Sequence, residues 1–309
     1  MSFATAIHHP GSLRTCLEWR TENRSITVQK QDSSGSLGDA CARVIRVSRM
    51  KTVPILGVRI SRLGLSAAVE ECLKRQASGG AGGSGVAGLG GYVCFANAHS
   101  LTEASSDPGV RKALNESFLS VADGVPVVWT SRLKGAPIET RVCGPDFMKC
   151  LIERSAASAH GFIGGAPGQA EKVAAYFGLS VGLSAICYSP PMRPFSRENA
   201  LEDWQTFLKL CPGGAAPPFV WIGLGAPKQE LWMNAVSPSA PDVLFFGVGA
   251  AFDFWAGDAK RAPVWMQNNG LEWLFRFGQE PGRLWKRYLV GNTRFVGKVV
   301  GEVLRRRRA

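Results

Sequence analysis

Asp123 follows the apolar run Ser120-Val121-Ala122 and heads the turn Asp123-Gly124-Val125-Pro126. A carboxylate at such a strand end can act as a general base, taking a proton from a hydroxyl nucleophile. The same spacing also fits a turn or a helix cap. His99, in Asn97-Ala98-His99 after the apolar run 92–96, is a second candidate base or a loop-orienting side chain. Gly223-Leu224-Gly225-Ala226-Pro227-Lys228-Gln229-Glu230 ends one apolar run and opens a helical pattern, where unpaired backbone N–H groups can receive phosphate or carbonyl oxygens. Gly247-Val248-Gly249-Ala250-Ala251-Phe252-Asp253 repeats the arrangement after the next apolar run, without the third glycine of a dinucleotide fingerprint. Each loop alone is a weak signal. Two on consecutive strands are stronger, because ligands of open α/β sheets gather at the strands' carboxyl ends. No Asp-x-Asp pair occurs in the chain, so a phosphate bound there would be met by Arg, Lys and helix N-termini.

These residues need a scaffold. The run 53–60 reads as a strand, and 65–76 as an amphipathic helix with Ala68, Val69, Cys72 and Leu73 on one side. Further strands are expected at 92–96, 161–165, 219–224 and 243–248. Helices are expected within 100–119 (with Asp107-Pro108 opening a second one), 147–159, 169–177, 201–210 and from 228. Near-continuous apolar strands alternating with helices predict an α/β fold, a mostly parallel sheet covered by helices on both faces.

The domain boundaries follow from composition. Residues 1–50 lack sustained periodicity and read as a flexible N-terminal extension, residues 51–262 as the α/β domain, and the low-complexity stretch 79–91 as a glycine-rich insertion within it. Beyond 262 the pattern changes. Trp265, Trp273, Phe275, Leu284, Trp285 and Tyr288 interleave with Arg276, Arg283, Lys286 and Arg287, and the chain closes on four arginines. Residues 263–309 therefore read as a basic amphipathic helical appendage suited to an anionic membrane surface.

Charge supports that division. The chain carries 36 Lys and Arg against 24 Asp and Glu, a net +12, and residues 271–309 hold ten basic side chains against three Glu. Such a tail attracts phosphate, whether on nucleic acid, lipid headgroups or substrate. The Trp and Leu interleaving and the lack of a nucleic-acid motif favour the lipid over nucleic acid. Eight scattered cysteines without a CxxC pair, and four histidines outside any metal-ligand spacing, argue against structural zinc. The first ten residues do not resemble a secretory signal, and the two long uncharged stretches, 78–102 and 173–192, are both broken by Gly, Ser or Pro, so a soluble or peripheral cytoplasmic protein is expected.

Seven motifs in order resemble the WecG/TagA/CpsF family of bacterial glycosyltransferases. They are Asn97-Ala98-His99; Ala122-Asp123-Gly124-Val125-Pro126; Arg141-Val142-Cys143-Gly144-Pro145-Asp146; Gly225 to Glu230; Gly247 to Asp253; Ala256-Gly257 with Lys260-Arg261-Ala262-Pro263; and Gly270-Leu271-Glu272-Trp273 through Arg276 and Arg283 to Tyr288. The resemblance spans about residues 53–295. It implies a Rossmann-like inverting enzyme that moves one sugar from a UDP-sugar to an undecaprenyl-diphosphate-linked sugar, with neither metal nor other cofactor. It also implies Asp123 as the general base, with Asn97, Arg141, Gln229, Gly225 and Gly249 at the substrates and Asp253 on the nucleoside. Arg276, Arg283, Lys286 and Arg287 would lie near the lipid diphosphate, on the inner face of the cytoplasmic membrane, and a homo-oligomer is a further partner it raises. Two positions depart from the family pattern. Phe95 stands where a Thr is frequent, which removes a hydroxyl or offers a ring to stack on a sugar, and Lys286 keeps a charge but not the arginine fork. The alternative is a non-catalytic, membrane-peripheral nucleotide-binding protein of the same fold. A Rossmann oxidoreductase fits less well, lacking the full fingerprint.

Overall fold

The computed structural model describes residues 15–19, 26–30, 50–80, 90–268, 270–279, 282 and 291–308. The chain divides into a unit spanning Met1–Lys51 and a second spanning Thr52–Ala309. In the first, β1 (Thr15–Trp19) pairs antiparallel with β2 (Ile26–Lys30), Thr15 opposite Lys30 and Trp19 opposite Ile26. The sequence pattern had flagged no element there, although Ile26-Thr27-Val28 is β-branched throughout and favours a strand. The flexibility expected of the rest of this extension, like most of the glycine-rich stretch 79–91, lies outside the described residues.

The second unit opens with a correction. The run 53–60 is two strands, β3 (Thr52–Ile55) and β4 (Val58–Ser61), in an antiparallel hairpin. Leu56 and Gly57 both take positive φ, +49° and +82°, the backbone that a two-residue hairpin turn demands. Then come α1 (Leu65–Gly80), β5 (Gly91–Ala96), α2 (Ala98–Ser106), α3 (Pro108–Glu116), β6 (Leu119–Ala122), α4 (Val125–Leu133), α5 (Gly144–Ser155), β7 (His160–Gly164), α6 (Gln169–Val181), β8 (Ala185–Tyr188), α7 (Arg197–Leu210), β9 (Phe219–Gly223), α8 (Lys228–Val236), β10 (Leu244–Gly247) and α9 (Ala251–Trp255). The strand β8 was not anticipated. Its four residues are all only half-buried, as suits the edge of a sheet, and so lack a strong apolar run.

Six strands form one all-parallel sheet in the order β6-β5-β10-β9-β7-β8, confirming the α/β, Rossmann-like class. Side chains alternate between its faces with the strand period of two. Tyr92, Cys94, Ala96, Val220, Ile222 and Phe245 join the core shared with α2, α3, α7 and α8. Phe95, Phe162, Trp221 and Phe246 point the other way, where Phe147 of α5 and Phe252 of α9 meet them; Trp221 and Phe246 stack at 4.4 Å. Both faces are thus covered, which explains why the strands read as unbroken apolar runs.

After the sheet come α10 (Val264–Asn268), α11 (Glu272–Gln279) and α12 (Gly291–Arg308). α12 lies against α2 and has two apolar faces. Phe295 and Val299 are buried in the core, while Val296, Val300 and Leu304 are half or more exposed. Glu302 accepts from the Leu56 amide at 3.2 Å and pairs with Lys134 at 2.7 Å, and Lys298 donates to Ser105 and Ser106. Among the described residues no helix is long and apolar enough to cross a membrane.

Candidate functional site

Every strand-end residue singled out above falls on the carboxyl edge of the sheet. Asn97 and Asp123 directly follow the paired residues Ala96 and Ala122, and the Asp123 amide donates to Ala96 O at 2.8 Å. The two positions are therefore adjacent because β5 and β6 pair in parallel register. Gly225 and Gly249 each stand two residues past the ends of β9 and β10, with φ of +76° and +50°, values that a side chain resists.

Asp123 is half-buried. The N-cap of α4 is Gly124, so Asp123 stands one position before the helix cap, in the turn that leaves β6. Asn97 does cap. Its Oδ1 accepts from the amides of His99 and Ser100, both at 3.1 Å, and Ser100 Oγ accepts from the Asn97 amide at 2.9 Å. The His99 ring lies 4.0 Å from the Glu103 carboxylate along the same helix. Phe95 is 5% exposed and packs edge-to-face on Phe147 at 5.2 Å, so its ring serves the core and not a ligand.

Arg141 is carried by the segment between α4 and α5, anchored where the Val142 amide donates to Ala122 O at 2.8 Å, directly before Asp123. Burial opposes its charge, yet the guanidinium is held above its ordinary pKa, with the carboxylates of Glu272 and Asp123 favouring the charge. Its Nη1 donates to Glu272 Oε2 at 3.0 Å. Burial, with Asp123 and Asp146 nearby, pushes the Cys143 thiol up, so it stays protonated and donates to Asp146 Oδ2 at 2.9 Å. Arg261 grips both oxygens of Asp146, Nη2 reaching Oδ2 at 3.2 Å, and also donates to Gln267 Oε1 at 2.9 Å.

Gln229 is almost wholly buried. Its Nε2 donates to Gly247 O at 2.7 Å and to Glu230 Oε1 at 3.1 Å, while its Oε1 has no hydrogen-bond partner among the described residues. It ties the end of β10 to the start of α8; a Cβ on Gly249 would sit 3.1 Å from that oxygen. Asp253 is also braced. Gln169 Nε2 donates to Asp253 Oδ1 at 3.0 Å and to Asp258 Oδ2 at 2.9 Å, and Lys172 completes the set on Asp258.

On α11, Arg276 lies over the Phe254 ring, 5.1 Å from its centroid, with Arg261 5.9 Å from the same centroid. Arg283, Lys286 and Arg287 lie outside the described residues.

Gln169, Arg261, Glu272, Cys143 and Asp146 had not been given roles from the sequence. One signal could have found Gln169. Gly165-Ala166-Pro167-Gly168-Gln169 repeats the spacing of Gly225-Ala226-Pro227-Lys228-Gln229, and the two loops leave the adjacent parallel strands β7 and β9 side by side. Gly164 packs so closely on Gly223 that a Cβ would meet its carbonyl carbon at 2.8 Å. The two glutamines reach the chain from β10 to just past α9, one at Gly247 and the other at Asp253 and Asp258.

The site thus joins a carboxylate on a strand end, a guanidinium within its electrostatic reach and the two glycine loops that follow β9 and β10. Such a set can deprotonate a hydroxyl while holding an anionic leaving group. One family model, described as "Glycosyl transferase WecG/TagA/CpsF family", matches residues 53–309.

Proposed function

The chain belongs to the WecG/TagA/CpsF glycosyl transferase family, and on that premise we propose that it transfers one sugar from a UDP-sugar to an undecaprenyl-diphosphate-linked sugar, with inversion and without a divalent cation. The sugar enters a surface polysaccharide or exopolysaccharide. Asp123 takes the proton from the acceptor hydroxyl as that oxygen attacks the anomeric carbon. The UDP leaves from the glycine loops at Gly225 and Gly249, Asp253 holds the nucleoside, and Asn97, Arg141 and Gln229 orient the reacting groups. The observation that carries this reading is the register of β5, β6, β9 and β10. It gathers Asn97, Asp123, Gly225 and Gly249 on one edge from sequence positions up to 152 apart.

The C-terminal segment brings the enzyme to the inner face of the cytoplasmic membrane, and Arg276, Arg283, Lys286 and Arg287 meet the lipid diphosphate. Support comes from the outward stripe Val296, Val300 and Leu304 beside the terminal arginines, an apolar strip with basic flanks that suits anionic headgroups.

The test is a metal-free transfer assay with a panel of UDP-sugars and a short-chain lipid-diphosphate-sugar acceptor, read by mass spectrometry. One sugar's mass gain is expected, lost in Asp123→Asn while donor binding is retained. Transfer that persists in Asp123→Asn removes it from the base role. No transfer from any donor by folded, vesicle-binding protein favours the non-catalytic alternative.

A further inference from the structure

Gln169 opens α6 directly after the loop that leaves β7, and it is buried although it is polar. Its side chain folds back over Gly165, which takes φ of +78°; a Cβ there would stand 2.3 Å from Gln169 Oε1. The amide nitrogen carries two hydrogens, and there is a carboxylate for each: Asp253 Oδ1 at 3.0 Å and Asp258 Oδ2 at 2.9 Å. Both acids follow β10, one within the five-residue α9 and the other just past it. Lys172 pairs with Asp258 at 2.8 Å and, together with Gln169, holds that carboxyl below its usual pKa. One of the two negative charges is thereby answered. Asp253 keeps its own, with one oxygen pinned by a neutral donor. A lysine at 169 would pair that charge away and a glutamate would add a third one. A neutral amide long enough to reach both acids does neither. The clamp also spans β9, which lies between β7 and β10 in the sheet, so the carboxylate is braced by the sheet as well as by its own short helix.

An ionised carboxylate can only accept hydrogen bonds, and the nucleoside hydroxyls that meet a strand-end acid in such sheets are those of the ribose. We propose that Gln169 is a positioning residue that sets the angle of the Asp253 carboxylate and thereby makes the site select a ribose over a deoxyribose nucleotide. This deepens the reading of Asp253 as the nucleoside's partner and rests on it. Gln169 reaches the ligand only through Asp253.

The experiment is calorimetric titration of UDP and of 2′-deoxy-UDP into wild type, D253N, Q169L and Q169N. A hydroxyl bonded to a charged group is worth about tenfold or more in affinity, so the wild type should prefer UDP by that ratio and D253N should lose it. Q169L should cut the ratio to about threefold or less, with 2′-deoxy-UDP affinity changed by less than about threefold. A merely structural role would weaken both nucleotides together and leave the ratio intact. Equal loss of both affinities in Q169L therefore overturns the proposal, as does a wild-type ratio in Q169L when D253N has lost it. Equal binding of the two nucleotides by the wild type overturns it as well. If Q169L does not fold, Q169N is read by the same rule, because its amide is one methylene too short to span both carboxylates. A wild-type ratio kept in D253N, or no binding of UDP to the wild type, overturns the nucleoside reading itself, and this proposal falls with it.

Discussion

Lowering the pH from 7 to 5 should cost this protein stability through one buried side chain. His160 opens β7 and is wholly buried. Trp221 Nε1–H, on the neighbouring strand β9, donates to His160 Nδ1 at 3.0 Å, while His160 Nε2 lies 3.1 Å from Ser155 Oγ and 3.3 Å from Ser155 O. An indole can only donate, so Nδ1 must keep its lone pair and the ring's proton sits on Nε2. Protonation would set two donors against each other across 3.0 Å. Burial lowers the pKa from 6.5 to about 4, with the Ser155 carbonyl pulling weakly the other way.

The native pKa lies below the unfolded one, so the stabilisation is fully present above about 6.5 and is lost as pH falls through about 4. The gap is worth about 3 kcal/mol in full, of which about 2 kcal/mol is gone by pH 5. Urea unfolding at pH 7, 6 and 5 should be compared between wild type and His160→Asn, which keeps an acceptor for Trp221 but cannot titrate. The variant will be weaker at pH 7, but its stability should fall by about 2 kcal/mol less between pH 7 and 5. Equal losses in the two proteins would refute the assignment of a neutral, proton-refusing imidazole. The consequence reaches the site, since β7 ends at Gly164, packed on Gly223 at the head of the Gly225 loop.

Two further outcomes are expected. Phe295→Ala should cost about 3–5 kcal/mol in the same unfolding assay, because the ring is buried in the core although it lies near the chain end; an unchanged urea midpoint would show that α12 contributes nothing to the core. Gln169→Leu leaves the Asp253 carboxylate without its amide donor, a charge-assisted bond of about 1.5–3 kcal/mol, so donor KM should rise about tenfold or more with kcat nearly kept. An unchanged donor KM would separate Asp253 from the nucleoside.

The sheet and its loaded edge were legible because a buried parallel strand leaves a plain mark, an apolar run that stops where the chain turns. Asp123, Gly225 and Gly249 each stand within two residues of such a stop, so their positions at strand ends could be read without knowing the strand order. The hairpin at Leu56-Gly57 broke that rule. Val53 and Ile55 are buried on one side of the turn and Val58 and Ile60 on the other, and the short apolar run across them hides the reversal. The edge strand β8 left the opposite problem, half-buried residues and no run to see. α12 has two apolar sides that its composition does not tell apart. Periodicity alone cannot say that Phe295 and Val299 turn inward while Val296 and Val300 turn out.

What supports the reacting residues was harder to read, for a reason that lies in the kind of force involved. Apolar burial repeats along the chain with a period, whereas a charge pair joins two points and leaves no period. Arg141 and Glu272 are 131 positions apart, and Arg261 and Asp146 are 115 apart. Nothing local to any of the four names its partner. The glutamines differ, because Gln169 and Gln229 sit in copies of one short motif on adjacent strands, so repetition itself marks them.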